Sequence, residues 1–86
     1  MAEFEVTGDL LTDLQNAIEY QTVMYISYVD RKGNASVRNI GPLEIRGDKM
    51  YAADLDKMAL RLFVLANIQE FEVIDQTFDK DALELG

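Results

Sequence analysis

The run TVMYISYV, Thr22 to Val29, is built almost wholly of β-branched, aromatic and long apolar residues, and it constrains the fold more than any other stretch. It is too short for a helix between its flanks, so it is expected to be a strand. Both of its alternating faces are apolar, as in a central strand. The rest of the chain must therefore provide pairing partners and an apolar lid.

Both can be found. Leu10, Leu14, Ala17 and Ile18 recur at helical spacing with Leu11 beside them, while Asp13, Gln15, Asn16 and Glu19 take the other face, which predicts an amphipathic helix. Thr7, Gly8 and Asp9 are its cap candidates, and Asp9 and Asp13 suit the positive end of its dipole. After the central run, Asp30–Asn34 holds a turn, and ASVRNIGPLEIR continues as strand with a break expected at Gly41-Pro42, since proline cannot donate to a ladder. Gly47-Asp48 suits a two-residue hairpin connection into KMYAAD. Residues 57–66 are open between helix and strand by periodicity. The following stretch, with Phe71, Val73 and Ile74, is expected to be strand, with a bend near Ala66-Asn67. The fold class expected is mainly β with one N-terminal helix, a small SH3-like (Sm-like) bent sheet or barrel of about five strands.

With 86 residues, one domain is expected over 1–86, its core spanning 9–78 and residues 79–86 forming a flexible surface tail. The absence of cysteine and histidine removes thiolate and imidazole chemistry, so a non-enzymatic protein without metal or cofactor is expected. The opening MAEFEVTGDL carries acids where an export signal needs bases and an apolar run, and no stretch is long and apolar enough to span a bilayer. The expected setting is cytoplasmic, without a membrane partner.

The net charge of −8 argues against nonspecific nucleic-acid binding by the protein as a whole. Its distribution is uneven. Residues 31–61 hold seven basic side chains (Arg31, Lys32, Arg38, Arg46, Lys49, Lys57, Arg61) against four acids (Glu44, Asp48, Asp54, Asp56), a net of +3. From Glu70 onward there are six acids and only Lys80, a net of −5. A local basic site within an acidic protein follows.

Taken in order, Ala17-Ile18, MYISY ending at Tyr28, Gly33, Arg38, IGPLEI, KMYAAD, RLF at Arg61–Phe63 and NIQEFEVIDQTF resemble the WYL domain, over roughly Ala17 to Phe78. The name-giving Trp-Tyr-Leu reads Met50-Tyr51-Ala52 here, and Asn67 stands where the family usually carries arginine. The resemblance implies an SH3-like barrel of the kind found in bacterial regulators and defence proteins, where it is regarded as a sensor of nucleotide or nucleic-acid ligands. The usual companion there is a helix-turn-helix. Here only nine residues precede the predicted helix, which leaves an isolated sensor module, an excised piece of a larger regulator, or a small stand-alone protein of phage origin.

The candidate ligand-binding residues are Tyr28, Arg38, Tyr51 and Arg61. A guanidinium offers a planar donor fork suited to phosphate, and the resemblance places both arginines in the family's pocket. The competing reading is an ion pair with Glu44 or Asp54. The tyrosines can stack bases, or serve only as half-buried packing. Arg46-Gly47-Asp48 is explained by its turn, and Asp54-x-Asp56 and Asp79-x-Asp81 as solvated loop acids. The expectation is a regulatory module that binds a nucleotide, oligonucleotide or single-stranded nucleic acid and modulates transcription or defence. The alternatives are an acidic protein-interaction module docking on a host transcription protein through the surface from Glu70 onward, and a dimerisation domain pairing through a strand edge.

Overall fold

The computed structural model describes residues 5–82. Helix α1 (Leu10–Tyr20) leads into β1 (Thr22–Val29), followed by β2 (Ala35–Arg46), β3 (Lys49–Asp54), β4 (Ala59–Val64) and β5 (Ile68–Thr77), with short 3-10 turns at Leu65–Asn67 and Lys80–Ala82. The apolar run is paired on both sides, and its Met24 and Ile26 face is buried in the core, while Tyr25 on the other face is 38% exposed. Ile26 of β1 faces Arg38 of β2 on one side and Phe71 of β5 on the other, both pairings antiparallel. The sheet order is β4-β3-β2-β1-β5, so β2 takes the middle and β1 lies next to an edge. The class is mainly β with one N-terminal helix, and of sheet and barrel it is the sheet that forms, because β4 and β5 stay at opposite edges.

The helix lays Leu14 and Ala17 against Met24, Ile26, Ile40, Met50, Ala52, Phe63 and Ile68, which together form the core. Each large side chain buried in this way contributes roughly 1.5–3 kcal/mol, enough to override weak local propensity. That decides residues 59–64. As a strand, they set Phe63 opposite Met50 and bury it, leaving Leu60 and Leu62 to alternate outward. The expected bend follows at once as the Leu65–Asn67 turn.

Asp9 caps α1 by accepting from the Thr12 N–H at 3.0 Å, and Gln21 ends the helix in the left-handed region with φ 51°. Asp13 departs from its expected polar face and is fully buried. The preceding segment folds over it, and its carboxylate accepts from the Thr7 N–H at 2.9 Å, the Thr7 hydroxyl at 2.8 Å and the Gly8 N–H at 2.9 Å. Three donors offset the cost of burying the charge.

At Gly47-Asp48 the hairpin forms as expected, with Arg46 paired to Lys49 and Gly47 at φ 60°. The break expected at Gly41-Pro42 appears instead as a register shift between Pro42 and Glu44 inside a continuous strand. Here β2 changes partners: residues up to Ile40 pair with β1 and those from Ile40 onward with β3, so the strand curls where the proline lacks a donor. Gly41 lies directly under the Phe78 ring, which a Cβ would meet at 2.5 Å. Of the expected tail, Lys80–Ala82 form the second turn and residues 83–86 lie outside the described residues. No helix among the described residues is long and apolar enough to cross a membrane.

Candidate ligand-binding groove

Between the β1–β2 hairpin and edge strand β4 lies an open groove of about 830 Å³. Its lining carries five basic side chains, Arg31, Lys32, Arg38, Lys49 and Arg61, against one acid, Asp30, together with Tyr28, Asn34, Ser36 and the Leu62–Val64 stretch of β4. Most of the basic stretch in the sequence thus converges on one concave surface.

Asp54 sets the geometry. It is not the solvated loop acid expected of it: at the end of β3 its side chain is 1% exposed, and Oδ2 accepts from Arg38 Nη1 at 2.7 Å with Arg61 Nε at 3.2 Å. The first contact is a hydrogen bond; the second is a charge contact without hydrogen-bond alignment, which leaves Arg61 Nε, like Arg38 Nε, without a hydrogen-bond partner. Oδ1 faces the loop and takes the N–H groups of Asp56 at 3.2 Å and Lys57 at 3.3 Å. One carboxylate therefore holds two guanidiniums from beneath. It cancels a single positive charge, and Arg38 and Arg61 keep 22% and 39% of their side-chain surface in solvent. The ion-pair reading and the ligand reading are both compatible with this arrangement, since Asp54 orients the arginines without covering them.

Tyr28 reaches the groove and is fixed at both ends. Its ring meets Phe63 edge-on, centroids 5.0 Å apart at 82°. Its hydroxyl accepts from the Val64 N–H at 3.0 Å, bridging β1 to β4 across the gap the sheet leaves open. Tyr51 is not brought here. Ala52 pairs with Arg61 and Tyr51 with Leu62, and adjacent side chains of a strand point to opposite faces, so Tyr51 lies on the far side of β3 from Arg61. There the Arg46 guanidinium sits 5.8 Å above its ring, and the hydrogen bond from Arg46 to Glu44 raises the arginine's already high pKa.

Asp30 belongs to the turn more than to the groove. Its carboxylate accepts from the N–H groups of Asn34 at 2.9 Å and Lys32 at 2.8 Å. The Asn34 bond is foremost in holding its pKa below the usual carboxylate range. Arg31, Lys32, Lys49, Asn34 and Ser36 are not among the four sequence candidates; the clustering of bases within residues 31–61 is the signal for the three basic ones, and Asn34 and Ser36 carry none. Asn67 lies in the Leu65–Asn67 turn and does not line the groove.

Fold and groove together define a small antiparallel sheet module, backed by one helix and carrying a basic cleft at one sheet edge. No family model matches the sequence, and no curated protein matches it. Among solved structures, the proteasome accessory factor B/C (PafBC) of Arthrobacter aurescens is similar with a TM-score of 0.74 over 96% of this chain at 15% identity. PafBC contains a WYL domain, and at this identity the likeness is one of fold. The matched region is 14% of the PafBC chain.

Proposed function

We propose that this chain is a non-enzymatic regulatory module that binds a nucleotide, oligonucleotide or single-stranded nucleic acid in the groove, and that occupancy modulates transcription or defence in the cytoplasm. The observation that carries the reading is the gathering of five basic side chains, two of them braced by a buried carboxylate, in a chain of net charge −8. Phosphate-bearing ligands match planar guanidinium donors and compact ammonium groups. The WYL resemblance of the sequence and the fold likeness to PafBC support a regulatory role. Tyr28, Arg38 and Arg61 hold the ligand in this reading, with Arg31, Lys32 and Lys49 around them.

The test is an amide-resolved titration with single-stranded DNA, RNA and short cyclic oligonucleotides. Shifts are expected at Tyr28, Arg38 and Arg61, with Tyr51, on the opposite face, as internal control. If no ligand moves the first three, the proposal fails.

A second reading has its own observation. Glu70 and Glu72 face Ser27 and Tyr25 across the outer side of the sheet, where Val37 is 58% exposed, so an acidic surface with apolar content lies away from the groove. A protein partner with a basic face would dock there. Reversing Glu70 and Glu72 to lysine abolishes activity under this reading and spares it under the first.

A further inference from the structure

We infer that the groove reads the phosphate backbone of its ligand and is indifferent to the bases; this rests on the nucleic-acid reading above and narrows it. Proteins that hold single strands by their bases present aromatic faces on which successive bases stack. Among the described residues two aromatic side chains line this groove, Tyr28 and Phe63. Phe63 is 2% exposed and belongs to the core. The Tyr28 ring is held edge-on to Phe63, and the acceptor side of its hydroxyl is taken by the Val64 N–H. The one other tyrosine among the sequence candidates, Tyr51, lies on the opposite face of β3 beneath Arg46. Tyr28 thus offers a base one half-buried ring, not a run of faces on which successive bases could stack.

Groups that read base edges are scarce as well. Among the described residues of the lining the uncharged polar side chains are Asn34, which donates from Nδ2 to Asp30 Oδ2 at 3.4 Å, Ser36 and Tyr28. Cationic donors are plentiful by contrast. Five bases less the Asp30 and Asp54 carboxylates leave a net of three positive charges, spread along the cleft from the hairpin tip at Arg31 to Arg61 on β4. Charge of that kind follows a phosphate chain and carries no sequence information.

The experiment compares three probes by fluorescence anisotropy at several salt concentrations: an eight-nucleotide oligothymidylate, an abasic deoxyribose-phosphate strand of the same length, and free thymidine as competitor. Neutralising three phosphates of a single strand gives log K against log salt a slope of about −2. The two strands are expected to bind within about threefold of each other at that slope, with thymidine failing to compete. The double variant Arg31→Ser, Lys32→Ser, changed only in the exposed turn, is expected to weaken both strands at least tenfold without lowering the melting temperature. Tenfold or greater loss on removing the bases, or competition by thymidine, overturns this inference and leaves the proposed function standing. Binding by neither strand overturns this inference and the single-strand part of the proposed function, whose nucleotide part stands or falls by the titration above.

Discussion

Replacing Asp54 by asparagine separates what that carboxylate does for the fold from what it does for the groove. Removing one partner of a buried ion pair typically costs about 3–5 kcal/mol, because the remaining charge is left uncompensated. Here the remaining charges are guanidiniums still 22% and 39% exposed, so solvent takes up part of that loss. The asparagine oxygen also continues to accept the Asp56 and Lys57 N–H groups. About 2 kcal/mol is left, which in a domain of this size lowers the melting temperature by roughly 8–16 °C. At the same time the groove gains one net positive charge, so binding of an oligothymidylate should tighten at low salt and its salt slope steepen by about 0.7. Circular-dichroism melts and anisotropy titrations read the two effects independently. A melting temperature within about 2 °C of the parent would refute the bracing role assigned to Asp54. A destabilised protein with an unchanged salt slope would show that the Asp54 charge is not felt by the ligand.

Gly41→Ala drives a Cβ into the Phe78 ring at 2.5 Å, and an overpacking cost of about 1–3 kcal/mol is expected as a lowered urea midpoint with unchanged slope. Asp13→Ala strips three donors of their shared acceptor and should cost about 1–3 kcal/mol by the same measurement. Tyr28→Phe leaves the Val64 N–H without its acceptor; a loss of about 1 kcal/mol and faster hydrogen exchange at Val64 are expected. Asp9 and Asp30 have folded pKa values below the ordinary carboxylate value, Asp9 chiefly through its Thr12 hydroxyl and Asp30 chiefly through the Asn34 N–H. Their stabilisation is therefore complete above the unfolded-chain value of about 4 and is lost as pH falls through the lowered folded values, so replacing both by asparagine should flatten the acid limb of a stability-versus-pH curve.

The strands up to Asp54 were legible because turn chemistry and apolar runs agree there: Asp30–Asn34 and Gly47-Asp48 are short connections with the residues such turns favour. Gly41-Pro42 signals a break through its missing donor, but whether a strand stops or bends there depends on what lies beside it. β2 finds a new partner in β3 at that point, and only tertiary pairing reveals this. The burial of Asp13 is not legible because helical periodicity records the helix alone and not the Thr7–Gly8 segment that closes over it. The basic groove was visible as a charge imbalance, yet its membership depended on the register of β4. Setting Arg61 opposite Ala52 sends Tyr51 to the far face, and that register follows from the Leu55–Met58 connection, with Met58 at φ 51°, a value no residue pattern announces.

The Phe78 N–H donates to the Gln21 carbonyl at 2.9 Å, and its ring rests on Gly41, which moors the end of β5 beside the start of β1. The cleft opens at the other end of that same strand, around Tyr28. Six residues of extended chain separate the two places, on the order of 20 Å at about 3.3 Å per residue. A fluorophore or surface tether attached beyond Phe78 would consequently leave the ligand entrance unobstructed, and immobilised protein should report the same affinity as protein free in solution.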